Sequence, residues 1–245
     1  MPRLLRRFLL VLALTLPATA CGPAFRFRPA NTLPRGVIEL GAGVGAGARV
    51  ADGRFGGGEL QAWVRGGVDP RVEIGGRFFS SMLSSFGGAF EVRVAAVQGP
   101  FDLSVDLALV GGACCGAGKS SRTLAAALGF DAGFSVGKRF GGPRAVALYF
   151  APHVQVSWTF PLEHDWPKQL YLPVGVDIPL GRSPLSLRPE VLAAGLFHTG
   201  GRMDWRLGGG IGLAVAGPGP KLAAAQRREK LRAAEEREDP APSGE

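Results

Sequence analysis

From Gly36 to Gly217 the apolar residues of this chain recur at every second position, and few folds tolerate such a pattern. In a strand, successive side chains point to opposite faces, so a period of two separates an apolar face from a polar one. The stretch 101–109 is the clearest. Phe101, Leu103, Val105, Leu107 and Leu109 share one face, and Asp102, Ser104, Asp106 and Ala108 share the other. In 90–97, Phe90, Val92 and Val94 oppose Glu91 and Arg93. In 124–136 an apolar face from Leu124 to Val136 opposes small or polar residues that include Asp131. In 146–158, Val146, Leu148, Phe150, Val154, Val156 and Trp158 oppose Ala147, His153, Gln155 and Ser157. In 170–180 an apolar face from Leu170 to Leu180 opposes Gln169 and Asp177. Weaker versions fall near 37–50, 59–66, 70–79, 185–197 and 203–215, giving ten candidate strands. A helix would spread these apolar residues around all its sides. Pro152, Pro173 and Pro189 oppose a regular sheet, because each removes a ladder donor; they require bulges or later strand starts.

The chain divides into an expected signal over 1–20, a periplasmic linker over 21–35, a barrel over 36–216 and a charged tail over 217–245. Arg3, Arg6 and Arg7 precede an apolar run from Phe8 to Leu16, then Ala18-Thr19-Ala20 and Cys21. That is the layout of a secretory signal. It also resembles a lipobox, which implies lipidation of Cys21; Ala18 departs from the usual Leu, and cleavage after Ala20 by ordinary signal peptidase fits too. Gly22 after the cysteine implies the outer membrane. The formal charge of +8 includes three signal arginines, so the mature chain carries +5. The tail from Gly217 carries six basic and six acidic groups and is neutral, and its stretch from Lys221 to Glu238 is rich in helix formers. It reads as a solvated helix or disordered end, or as a docking segment for a periplasmic partner. No basic run with interleaved aromatics occurs, so nucleic acid is not an expected partner.

Connections near Gly66–Asp69, Gln98–Pro100, Gly137–Gly142 and Gly181–Pro184 are short. Those at Ala51–Gly57, Ser80–Ser85, Gly111–Arg122 and Thr159–Pro167 are mostly longer, whereas the final His198–Arg202 is short. Strand lengths near the ~9–11 residues that cross a bilayer, an even strand count and this alternation resemble the bacterial outer-membrane β-barrel class over about residues 36–216. The resemblance implies an all-β, up-and-down antiparallel transmembrane barrel of about ten strands, within 8–12. It implies contact with membrane lipid, both termini in the periplasm, and aromatic girdles from Phe79, Phe101, Trp158, Phe160, Trp166, Tyr171 and Trp205. Arg206, Gly208, Ile211 and Leu213 resemble the spacing of the signal read by the barrel-assembly machinery.

On the inward faces, opposite charges sit two residues apart: Arg71/Glu73, Glu91/Arg93, Arg188/Glu190 and Asp204/Arg206, with Asp102 and Asp106 beside them. The expectation is a self-neutralised network that largely plugs a narrow lumen; a small hydrophilic channel is the alternative. The role is then structural, or passage of small solutes. Rival readings are a soluble periplasmic barrel binding a small apolar ligand and, less favoured, a lipid-modifying enzyme using His153 and Ser157. No catalytic residue, cofactor or metal ligand is expected. Ala113–Ser120 matches a P-loop only loosely, and Gly41-x-Gly43-x-x-Ala46 lacks the following helix of a dinucleotide site. The adjacent Cys114 and Cys115 read as a structural loop pair, and Glu163-His164-Asp165 as a solvated loop. Glycine is abundant, at 38 residues. Gly41, Gly43, Gly45 and Gly47 of the first strand and Gly208, Gly210 and Gly212 of the last fall on the inward face. There they are expected to make room for larger neighbours such as Trp63 and Arg65 where the barrel closes.

Overall fold

The structure is a computed structural model. It describes residues 24–53, 55–81, 85–115, 124–141, 145–160, 168–197 and 203–220, with Gly201, Ala223 and Glu229. Cys21, Gly118-Lys119-Ser120, Glu163-His164-Asp165 and nearly all of the tail lie outside these residues.

Eleven strand segments follow one another: β1 (Val37–Arg49), β2 (Phe55–Asp69), β3 (Val72–Ser81), β4 (Ser85–Val97), β5 (Asp102–Cys115), β6 (Leu124–Arg139), β7 (Ala147–Phe150), β8 (His153–Phe160), β9 (Lys168–Pro179), β10 (Leu185–Phe197) and β11 (Met203–Pro218). Both β7 and β8 pair with β6 on one side and β9 on the other, so they are halves of one stave. Each stave pairs antiparallel with the next, and β11 pairs with β1 along its whole length, from Val37↔Pro218 to Arg49↔Arg206. The result is a closed ten-strand up-and-down barrel without a free edge.

The three prolines sit at interruptions of the ladder. Pro152 falls in the break between β7 and β8. Pro173 lies opposite that break, where its carbonyl accepts from Ala151 N at 3.0 Å. Pro189 falls where the β9–β10 ladder skips from Leu187↔Ile178 to Glu190↔Gly175. The missing donors thus fall where no ladder bond is needed.

The two faces follow the alternation in the sequence. Leu40, Val44, Phe78, Phe90, Val105, Leu107, Leu109, Phe130, Val191, Ile211 and Leu213 are exposed on the outside. Glu39, Arg65, Glu73, Arg77, Glu91, Arg93, Asp106, Asp131, Asp177, Arg188 and Glu190 are buried inside. Such an apolar exterior needs lipid around it, and it is the reverse of a soluble barrel wrapped around an apolar ligand. Two residues expected in an interfacial girdle depart from it. Phe79 and Tyr171 are buried in the lumen, because each is one residue out of phase with the outward set. Phe101 and Trp205 are exposed as expected. The contrast between the two rims is narrower than the sequence suggested. β2 begins at Phe55, β3 reaches Ser81 and β5 reaches Cys115, so strands take up residues assigned to longer loops.

The largest departure concerns residues 21–35. Their described part is not a solvated periplasmic linker. Phe25, Arg26, Phe27, Arg28, Pro29 and Ala30 are all buried, and they lie within the barrel, touching side chains from opposite walls.

Candidate functional site: the occupied lumen

An extended chain crossing a lumen must find partners for its backbone, because it belongs to no sheet. Here the wall supplies them. Gln61 Nε2 and Arg77 Nη1 donate to Phe25 O at 2.9 and 2.7 Å. Arg65 Nη2 donates to Arg26 O at 3.1 Å, and Arg188 Nη1 to Phe27 O at 3.0 Å. Arg93 Nη1 donates to Pro29 O. The Glu190 carboxylate accepts Arg26 N and Phe27 N, each at 2.8 Å. It also accepts Tyr149 Oη at 3.0 Å, so one carboxylate collects three donors. Tyr149 reaches it by lying across Gly175 of β9, where any Cβ would overlap the phenol ring. Further along, Glu73 Oε2 accepts Leu33 N at 3.0 Å, and Thr32 Oγ1 donates to Pro70 O at 2.9 Å.

The side chains of the segment sort by chemistry. Phe25 and Phe27 stack on each other with centroids 5.4 Å apart and planes 7° from parallel. Phe27 stacks on Trp63 at 6.0 Å. This aromatic column lies on the glycine stripe where β1 meets β11. Phe25 covers Gly45; Phe27 covers Gly43, Gly210 and Gly212; Trp63 covers Gly41. The register brings these glycines face to face as Gly43↔Gly212, Gly45↔Gly210 and Gly47↔Gly208. Glycine is required here because a Cβ at any of the five covered positions would enter a ring. The stripe therefore makes room for Trp63, as the sequence suggested, but chiefly for the segment.

The two arginines point the other way. Arg28 pairs with Glu73 at 2.7 Å, Glu91 at 3.2 Å and Asp106 at 3.7 Å. Arg26 is bonded to Asp131 and donates from Nε to His153 Nδ1 at 3.2 Å. Wall pairs complete the network. Arg93 bridges to Asp106 at 2.6 and 3.0 Å. Ser135 shares that carboxylate at 2.6 Å. Arg188 binds Glu39 at 2.6 Å and Asp177 at 2.8 Å. Arg65 binds Glu39 at 3.2 Å and lies 5.1 Å from the Trp63 ring, and Arg77 binds Glu91.

Charge counting shows why the segment carries arginine. Among the described residues the buried wall contributes four cations (Arg65, Arg77, Arg93, Arg188). Against them stand seven carboxylates: Glu39, Glu73, Glu91, Asp106, Asp131, Asp177 and Glu190. The wall alone is three negative, and Arg26 and Arg28 reduce this to one. Buried carboxylates without a partner are costly, so the segment and the wall are electrostatically matched.

Of the charges expected in the lumen, Glu73, Glu91, Arg93, Asp106, Arg188 and Glu190 meet in this network. Asp102, Asp204 and Arg206 do not: Asp102 is half-buried at the first residue of β5, and Asp204 and Arg206 are half-buried near the opposite rim. Arg49 lies 4.0 Å from Asp204 there. Arg71 is exposed in the β2–β3 turn, because β3 starts only at Val72. Sequence reasoning missed Arg26, Arg28, Glu39 and Arg77. The signal available was the short alternation Phe25-Arg26-Phe27-Arg28, too brief for a strand and set inside an expected linker. At the rim where β1 starts, a cavity of ≈520 Å³ opens between the segment and the wall, bounded by Arg28, Asn31, Glu39, Glu73, Arg139 and Asp177.

No family model matches the sequence, and no curated protein matches it. Solved structures similar to it include the N-terminal β-barrel domain of OprF from Pseudomonas aeruginosa. That match has 9% identity and covers 74% of this chain and 99% of that one, with a TM-score of 0.35. Neisserial surface protein A matches at 9% identity, covering 73% and 95%, with a TM-score of 0.36. The outer membrane protease OmpT from Escherichia coli matches at 9% identity, covering 77% and 100%, with a TM-score of 0.36.

Proposed function

We propose that this protein is an outer-membrane barrel whose lumen is closed by its own amino-terminal segment. Its standing role is structural, without catalysis, cofactor or metal. One observation carries the reading: Phe25–Ala30 is buried across the lumen, with its backbone and both arginines held by the wall. Strands spaced about 4.8 Å apart and tilted 35–45° put the backbones of a ten-strand barrel roughly 20 Å across. Side chains lining both walls take up most of that width, and the segment takes up much of the rest. Small-solute passage becomes a property of the displaced state. A wall carrying seven carboxylates against four arginines favours cations there. His153 and Ser157 face the lumen, and His153 contacts Arg26, which is a poor position for chemistry on membrane lipid. The outward Ile211 and Leu213 of β11 are available to the assembly machinery as that strand is handed over.

Planar-bilayer recording tests this. The full chain is expected to give no steady conductance. Deletion of residues 24–33, or the milder pair Phe25→Ala and Phe27→Ala, is expected to give steady cation-preferring steps. Steady conductance from the unaltered chain would refute closure.

A further inference from the structure

The luminal segment has a direction. Thr32 and Leu33 are anchored at Pro70 and Glu73, beside the rim where β1 starts and β11 ends. Going backwards along the chain, Arg26 O is held by Arg65, Phe25 O by Gln61 and Ala24 N by Glu59 at 3.0 Å. Those anchors climb β2 from its Asp69 end towards its Phe55 end. On β1, Phe27 covers Gly43 and Phe25 covers Gly45, further from Val37. The segment thus runs antiparallel to β1. At Ala24 the amino end of the segment points towards the rim that carries the β1–β2, β3–β4, β5–β6, β8–β9 and β10–β11 loops.

The distance back to the other rim is too great to recover. Gly45 lies eight residues beyond Val37, a rise of about 20 Å for a strand tilted near 40°. Ala24 is three Cα-to-Cα steps from Cys21, and a fully extended link of that length spans at most about 10 Å. The expectation that an even strand count returns both ends of the chain to one side holds for β1 and β11. The described residues before β1 run back across the lumen, so the amino end of the segment at Ala24 faces the other rim.

We propose that the amino terminus and the carboxyl-terminal tail lie on opposite faces of the membrane, the amino terminus reaching the outer face through the lumen. This rests on the membrane-barrel reading above. Acyl chains on Cys21 would then enter the outer leaflet over the loop rim, making the lipid a surface feature and not a periplasmic-leaflet anchor.

Two forms of the full chain test it in intact bacteria: one with an epitope inserted between Gly22 and Pro23, one with the same epitope after Glu245. Antibody is expected to label the amino-terminal epitope several-fold more than the carboxyl-terminal one on intact cells, and both equally after the outer membrane is permeabilised. A Pro23→Cys variant in a Cys114→Ser, Cys115→Ser background, probed with a membrane-impermeant maleimide, repeats the test without an insert and is expected to react on intact cells. Shielding of the Pro23→Cys thiol until permeabilisation overturns the proposal, as does labelling of both epitopes on the same side. Failure of the membrane reading is separate and visible: the protein would then fractionate with soluble periplasmic proteins and migrate identically with and without boiling.

Discussion

Gly43 offers a test in which the sign of the effect is diagnostic. In a bare strand interior, Gly→Ala is favourable by roughly 0.5–1 kcal/mol, because alanine loses less backbone freedom on folding. At Gly43 a Cβ would come within 2.6 and 2.7 Å of two ring carbons of Phe27. Ordinary carbon contacts are about 3.5–4.0 Å, so the ring would have to retreat by about 1 Å. It has nowhere to go: Phe27 is fully buried, with Phe25 on one face and Trp63 on the other. Overpacking of this kind costs about 1–3 kcal/mol. Gly43→Ala should therefore destabilise the barrel, by an amount readable as a lower temperature for loss of heat-modifiable mobility and a lower denaturant midpoint in lipid vesicles. Gly76→Ala is the control, since its nearest neighbour would be 3.8 Å from the new Cβ. In a Phe27→Ala background the clash disappears, and Gly43→Ala should become neutral or stabilising. The cycle then yields a coupling of about 1–3 kcal/mol, within the range of contacting residues. If Gly43→Ala stabilises the wild-type chain, or the two changes are additive, Phe27 does not sit on the glycine stripe.

Other outcomes follow from the same network. Arg93 is fully buried against Asp106 and Ser135, so Arg93→Met should cost about 3–5 kcal/mol in vesicle unfolding. Arg71→Ala, in an exposed turn, should stay within about 0.5 kcal/mol of wild type in the same assay. Glu190→Gln gives up an acceptor oxygen facing the segment's amides and should cost about 1–3 kcal/mol, with brief openings in bilayer recordings where the parent is silent. Cys21→Ala should abolish incorporation of a fatty-acid probe; persistent incorporation would remove the lipidation reading.

How much of this could be read in the sequence depended on what enforces each feature. The alternation in 101–109 is imposed twice over, by lipid outside and ions inside, so the faces of β5 were plain from Leu103 to Leu109. The same holds for Glu91 and Arg93 on β4. Closure was legible because inward glycines on the first and last strands must face each other. Their true occupants were not legible. Arg26 and Glu190 lie 164 positions apart, and no local periodicity reports such a bond. A chain satisfied by wall side chains, and not by a neighbouring strand, leaves no pattern beyond four residues of alternation. Rim positions were misjudged for a simpler reason. Alternation fixes which way Arg71 and Asp204 would point, but not whether the strand reaches far enough to bury them.

A disulfide between positions 27 and 212 tests the occupied lumen most directly. A Cβ placed on Gly212 would lie 3.0 Å from Phe27 Cβ. Disulfides hold their Cβ atoms about 3.5–4.5 Å apart, so the small shift allowed by losing the ring suffices. Phe27→Cys with Gly212→Cys, in a Cys114→Ser, Cys115→Ser background, should oxidise in folded, heat-modifiable protein and yield the linked peptides by mass spectrometry. Folded protein in which both thiols stay free, linking only after unfolding, would contradict an amino-terminal segment inside the barrel.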